Sequence, residues 1–492
     1  MLDRYFGLSE HQTTLRREAL AGLTTFLTMA YIIFVQPAIL SGSLLGKATG
    51  LDFGAVMTAT CLAAALATGI MALYARLPIA QAPGMGENFF FVISLLPAAG
   101  AWINARVKAG DLAAGTTTPW QIGLGVIFIS AILFLALSLI GVREMLLAAI
   151  SPSMKNGIAV GIGLFIAFIG LENAGLIVPD RGTGVRLAPR LASPDLAVFF
   201  FGLLLTAGLH ARRVRGAMLW GILASTLLAL VLLHTLERPE PVRAAASKPV
   251  AAASRLATDF ARAERSVLAH GPVSLPPSLR PTLLRMDLRH ALSWSMAPFI
   301  LMFLFMNLFD TLGTLIGVSQ QAGLLVDNRI PRLRQALVSD AVGTAAGAAL
   351  GTSTVVSFIE SAAGVAQGGR TGLTALVAAL LFLAALLFSP LVALIGSYPP
   401  ITAPVLVVIG SMMMQGVTRL DWSNGAEAIP AFLIVIGIPL SYSIADGLAL
   451  GFVAYPIVKL LAGQGRDVKW LMYLVALVLA AYFLLVRSAA SP

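Results

Sequence analysis

The chain has 492 residues, of which 58% are hydrophobic and only 11% charged, and its mean hydropathy is +0.88. Soluble domains carry roughly 25% charged residues, so an ordinary soluble fold is excluded. The net charge of +10 comes from Lys and Arg scattered over short loops, without the basic stripe or motif that nucleic acid requires.

Apolar runs of roughly 20 residues, enough to cross the hydrocarbon core, recur along the whole length. The first is too long for a signal-peptide core and no small-residue cleavage site follows it, so it is expected to stay as a span. Spans are expected at 18–41, 55–75, 78–97, 121–142, 153–173, 195–211 and 216–236. "GSLLGKAT", Gly42 to Thr49, is a near miss for a phosphate-binding loop: one residue too few separates its glycines, and Ala48 stands where Ser or Thr should bind magnesium. A Pro-rich segment, 237–290, follows and reads as a linker outside the cytoplasm. A second group of spans is expected at 293–318, 335–351, 352–368, 371–395, 399–418, 427–443 and 445–462. A last apolar run, 468–487, is either a further span or an interfacial helix. A cytoplasmic N-terminus (Arg4, Arg16, Arg17) places Arg76, Arg143, the Arg212/Arg213/Arg215 cluster, Arg370 and Arg419 on the same side, in the sense of the positive-inside rule.

Because seven is odd, the second group starts on the opposite side of the membrane, so two similar groups would be inverted repeats. Each group's second span is rich in small residues ("TATCLAAALATG", "AVGTAAGAALG"). Each then enters a Gly-interrupted third span, "PIAQAPGMGENFFFV" and "TSTVVSFIESAAGV". Paired broken segments at matching places point to a transporter's midplane site.

Carboxylates at that depth are costly, about 2.5–3.5 kcal/mol on insertion scales, and mark function. Asp310, in "FMNLFDTLGTLIGV", and Glu360 have no Lys or Arg within their spans. The β-branched stretch before Glu360 predicts a short extended piece and then a half-helix from near Ser361, whose free N–H groups would favour acceptor recognition. Glu172, near a span end, and Asp446, expected as a helix N-cap, have structural explanations. Glu87 reads either as a helix-terminus partner or as a pocket group. Gly343, Gly347 and Gly351 read as a packing face, whereas Gly84 and Gly86 are expected to open the backbone. Phe89, Phe90 and Phe91 read first as core, with the alternative of a ring stacked on a flat solute. One cysteine, Cys61, excludes an intrachain disulfide, and five scattered histidines show no metal spacing.

The segments "TTFLTMAYIIFVQPAIL", "APGMGENFFF", "NLFDTLGTLIGV", "GTSTVVSFIESAAGVAQGGRTGLTAL" and "IPLSYSIADGLALGF" resemble the adenine/guanine/hypoxanthine permeases, the azaguanine-transporter-like branch of the nucleobase–cation symporter-2 (nucleobase/ascorbate transporter) family. The resemblance implies an all-α polytopic membrane protein of two inverted seven-span repeats, with short strands in spans 3 and 10. It implies a core of spans 1–4 and 8–11 and a gate of spans 5–7 and 12–14. The repeats would occupy 1–236 and 291–465, with 237–290 between them and 466–492 as a C-terminal apolar segment. It also implies that Asp310 and Glu360 contact a purine and that Asn88 lines the same pocket, beside Gly86, Glu87 and Phe89. The family's usual apolar residue before that asparagine is here Glu87.

A carboxylate can accept two N–H bonds from one purine edge, and an amide can meet another. The expected function is therefore purine import by cation symport through alternating access. Glu360 and Asp310 carry the coupled proton, with Na⁺ as the alternative ion. No enzyme constellation, cofactor or nucleic-acid partner is expected. The partners are the purine, the ion and the bilayer of the cytoplasmic (inner) membrane, with a homodimer through the gate as one form of assembly. A channel and an anion or other small-solute carrier of the same fold are the rival readings.

Overall fold

The structure is a computed structural model and describes residues 2–140, 151–180, 182, 184–236, 255–324, 330 and 332–481. Among them, ten helical stretches are long and apolar enough to cross a membrane. Arg143, the first part of the linker (237–254) and the end of the last apolar run (482–487) lie outside the described residues.

The first repeat begins with α1 (Leu15–Met29) and α2 (Ile32–Leu40), which together form span 1, then α3 (Phe53–Ile70). Asp52 starts α3 by accepting from Ala55 N at 2.8 Å, which satisfies one orphan amide. Span 3 comprises strand β1 (Gln81–Pro83), the short helix α4 (Met85–Phe89), a π turn and α5 (Leu96–Lys108). It runs well past the expected end at 97. Its last turn carries Arg106 and Lys108, where cations favour a helix C-terminus, and Arg106 pairs with Asp111 at 2.9 Å. Helices α6 (Pro119–Ile140), α7 (Pro152–Asn173), α8 (Pro194–Ala211) and α9 (Ala217–Leu236) complete the repeat. A small hairpin, β2 (Ile177–Asp180) and β3 (Gly184–Leu187), separates α7 from α8.

The linker contains a helix, α10 (Ala261–His270), entered by a π turn over Leu256–Phe260. The second repeat has α11 (Ala297–Gln321), α12 (Leu333–Leu350), strand β4 (Val355–Ser357) with the half-helix α13 (Ser361–Ala366), and the pair α14 (Gly372–Ala385) and α15 (Ser389–Gly396). It ends with α16 (Pro399–Met413), α17 (Gly425–Leu440) and α18 (Ile444–Leu461), and a last helix, α19 (Trp470–Ala481), follows. The cap of α18 is Ser443, whose Oγ accepts from Asp446 N at 3.3 Å. Asp446 thus sits in the first turn and is not the cap expected from the sequence, because the helix starts two residues earlier.

Packing divides the helices into two bodies. Helices α1 and α3 pack on α14, α12 packs on α3 and α6, and α13 packs on α1; this body is the core. Helix α7 packs on α16 and α17, α8 on α9 and α16, and α17 on α18; this body is the gate. Gly343 supports the first body by bringing α12 onto Ala67 of α3, as a small-residue face does.

Strands β1 and β4 pair antiparallel across the repeats, with Gln81 opposite Ser357. Their outer edges would leave unpaired amides at membrane depth, which hydrocarbon does not tolerate. Two threonines at equivalent places resolve this. Thr68 of α3 bonds both N and O of Gln81 at 2.9 Å, and Thr344 of α12 bonds N and O of Val355 at 3.1 and 2.9 Å. The same device on the second helix of each group is the signature of an inverted repeat.

Candidate substrate site

The site lies where the two broken spans meet. Gly84 N donates to Thr354 O and Phe358 N to Ala80 O, both at 3.0 Å, so the ladder fixes where α4 and α13 begin. Helix α13 starts at Ser361, as the sequence predicts, with Glu360 at its head. Ser361 Oγ ties this start to the other repeat by accepting from Ala80 N at 3.0 Å.

Glu360 is partly exposed, and its Oε1 accepts from Tyr31 Oη at 2.8 Å. Thr28 Oγ1 donates to the Glu360 carbonyl at 3.4 Å. Asp310, mid-helix, is exposed although its neighbours Leu308 and Thr311 are buried. Asp310 is within electrostatic range of both Glu360 and Glu87. Glu87 is 2% exposed and folds back over Gly84, where a Cβ would overlap its Oε2; that oxygen accepts no hydrogen bond among the described residues. Only glycine leaves that space.

The other expected residues have different surroundings. Asn88 is fully buried, with Nδ2 donating to Gln36 Oε1 and Oδ1 accepting from Ser353 Oγ. Gln36 Nε2 in turn donates to Thr352 Oγ1 and Ser353 Oγ at 3.0 Å each. Both ends of the Asn88 amide are thus engaged by α2 and by the approach to β4. Gly86 faces the gate: a Cβ there would sit 3.1 Å from Ile162 Cγ2 of α7. Phe89 meets the same helix edge-on, 6.5 Å from Phe165, which packs on Tyr442 at 5.4 Å. Phe90 packs on Phe303 at 4.9 Å and is core. Tyr442 Oη donates to Glu172 Oε2 at 2.8 Å, which gives Glu172 the structural partner its position implied.

Several groups escaped the sequence reading. Asp340 of α12 is fully buried, accepts from Gln81 Nε2 at 3.2 Å, and lies in range of Glu87 and Asp310. Gln81 also donates to Ser357 Oγ at 3.2 Å and accepts from Ser339 Oγ at 2.8 Å. The signal for Tyr31 and Gln36 was their polarity inside the apolar run of span 1. The signal for Asp340 was an acid inside a small-residue helix.

A cavity of about 640 Å³ reaches Glu360, lined by Thr28, Ile359, Gln367, Met412 and, at its mouth, His210, Arg213 and Arg215. It runs between α13 of the core and the α8–α9 turn of the gate, so one face of the core–gate seam is open. None of the four carboxylates has an ion-pair partner among the described residues. An open carboxylate with a phenol donor, a second exposed acid and a buried amide network can hold a flat polar solute by hydrogen bonds along its edge.

Comparison with known proteins agrees with this architecture. The transmembrane domain of a cyanobacterial bicarbonate transporter, BicA, superposes with a TM-score of 0.56 at 13% identity, covering 89% of this chain and 97% of that one. That likeness supports the fold of two inverted seven-span repeats. The guanine/hypoxanthine permease PbuO of Bacillus subtilis is 39% identical over 96% of this chain and 98% of its own length. The adenine permease AdeP of Escherichia coli is 38% identical over 97% and 94%. Residues 16–450 match the Permease family, and the chain, a multi-pass integral membrane transporter and not an enzyme, belongs to it.

Proposed function

We propose that the protein imports purine nucleobases by symport with a proton. The observation that carries this reading is Glu360, open to the cavity, hydrogen-bonded by Tyr31 and sharing its site with Asp310. Glu360 is the purine anchor and Asp310 a second contact. The names of the two relatives support purines as the solute class. Four carboxyl groups with no ion-pair partner among the described residues favour a site that takes up positive charge with its solute, and they disfavour an anion as cargo. Asn88 shapes the pocket through Gln36 and Ser353, while Gly86 and Phe89 set how closely the gate approaches. Glu87 and Asp340 lie within electrostatic range of Asp310 and couple their protonation to that of the site.

Movement is a rocking of core against gate. With the N-terminus cytoplasmic in a bacterial inner membrane, the cavity lined by Arg213 and Arg215 opens inward. The repeats occupy 1–236 and 291–465, joined by 237–290 and followed by 466–492, and a homodimer forms through the gate.

The test is radiolabelled hypoxanthine, guanine and adenine uptake in proteoliposomes, with and without an inward proton gradient. Gradient-driven accumulation, competed by purines and not by uracil or sulfate, is expected. Glu360→Gln and Asp310→Asn should each abolish concentration of substrate. Normal concentrative uptake by both variants would overturn the assignment, and dependence on a sodium gradient would replace the ion.

A further inference from the structure

Any chain that leaves the gate at α9 and enters the core at α11 must cross the seam between them. It need not be fastened on both sides. Here it is, and on the face opposite the open cavity.

The gate end is held by residues 255–264. Arg255 Nη1 donates to Asn173 O at the end of α7 (3.3 Å), and Glu264 Oε1 lies 3.6 Å from His234 Nε2 at the end of α9. Phe260 is fully buried and its ring lies 5.3 Å from that of Tyr398, at the head of α16. The core end is held by residues 274–287. Ser274 N donates to Leu387 O at 3.0 Å, and its hydroxyl meets Ser389 Oγ at 2.8 Å. Pro277 O accepts from Thr58 Oγ1 at 2.9 Å, Leu284 N donates to Ala349 O at 2.7 Å, and Asp287 N donates to Gln121 O at 2.8 Å. Between the two anchorages, α10 packs on α15 of the core.

We propose that residues 255–287 form a strap that holds the closed face of the seam and must let go of the gate each time that face opens. The two ends differ in kind. The core end is a series of backbone hydrogen bonds to several helices, which behaves as a fixed root. The gate end, among the described residues, rests on one backbone contact, one His–carboxylate pair and the buried side chains of Leu256 and Phe260, a local patch that can open in each cycle. The strap thereby sets the balance between the two open states, because every contact it makes with the gate exists only while its own face is closed. This does not depend on which solute is carried.

The experiment joins the gate end covalently in the full-length protein. His234→Cys with Glu264→Cys is oxidised in proteoliposomes, with each single variant as control, and read by uptake and by deuterium exchange. Expected are a disulfide, loss of at least nine-tenths of uptake restored by dithiothreitol, and slower exchange at the strap-side ends of α7 and α16. Phe260→Ala with Arg255→Ala should do the reverse, speeding exchange at those ends several-fold. A disulfide that forms fully and leaves uptake and exchange unchanged would overturn the proposal. Where no disulfide forms, a bis-methanethiosulfonate spanning about 10 Å joins the same two cysteines, because a disulfide needs Cα atoms within about 7 Å, and unchanged uptake and exchange after that cross-link would overturn the proposal equally. If the reduced, unmodified protein carries no purine, the substrate assignment fails instead, and the exchange readout still decides on the strap.

Discussion

Tyr31 of span 1 donates a hydrogen bond from its phenol to Glu360 of span 10 at 2.8 Å, so a side chain from the first repeat aims the partly exposed acid of the second. A hydrogen bond to a charged group contributes about 1.5–3 kcal/mol. Tyr31→Phe keeps the ring in its buried place and removes only that donor. The expected result is a rise in KM for guanine of about tenfold or more with little change in expression, measured by initial uptake rates. An unchanged KM would mean that the phenol is a bystander.

Glu18 has a different task. It is fully buried at the start of α1 and accepts from Arg370 N, Thr371 N and Thr374 N at 2.9, 3.3 and 3.2 Å, and from the hydroxyls of Thr371 and Thr374 at 2.9 and 2.6 Å. This one carboxylate caps α14 across the repeat boundary. Glu18→Ala leaves those donors orphaned, a cost of about 3 kcal/mol. Thermal unfolding in detergent should show a clear fall in midpoint, while KM in the surviving protein stays near normal.

The approach of α4 to α7 is set by Gly86 against Ile162. Gly86→Ala brings a methyl to 3.1 Å from Ile162 Cγ2, an overpacking of about 1 kcal/mol. Uptake should slow, and Ile162→Ala in the same chain, which removes Cγ2, should restore most of the rate. Additive defects in the double variant would show that the two residues do not meet during transport.

At the root of the strap, Asp287 caps the turn Leu288–Ala291 and accepts from His290 Nδ1 at 2.6 Å. Burial opposes its ionisation, but hydrogen bonds from the side chain and backbone of His290 and from Thr117 outweigh it and hold the carboxyl below its ordinary range. A depressed folded-state value means that the stabilisation is complete above the unfolded value, near 3.9, and is lost as pH falls through the folded one. The unfolding midpoint should therefore drop below about pH 4, and Asp287→Asn should lower it at neutral pH and flatten that part of the profile.

The spans, the two broken segments and the half-helix from Ser361 were legible because hydropathy and backbone breaks are local properties. Glu360 and Asp310 stood out because a lone acid in an apolar run is locally improbable. Glu18 did not, since it sits at a span end where an acid is unremarkable until its distant partners are known, and Asp340, two turns into α12, lies among small and polar residues that make an acid less conspicuous. The alanine- and arginine-rich helix at 261–270 gave no reading as part of a strap, because its role rests on Phe260 and Glu264 meeting residues of other helices. The commitment of Asn88 to Gln36 and Ser353 is a tertiary fact that spacing does not encode.

The paired strands also bear on how the protein is made. Gln81 and Ser357 are 276 residues apart, so β1 leaves the ribosome long before β4 exists. Through that interval Thr68 can serve one edge of β1, and the other has no backbone partner from its own chain. A nascent first repeat is therefore an incomplete object in lipid, needing water, the insertion machinery or a chaperone beside it until the tenth span arrives. Truncation after residue 236 should give a product marked for proteolysis, not half a transporter.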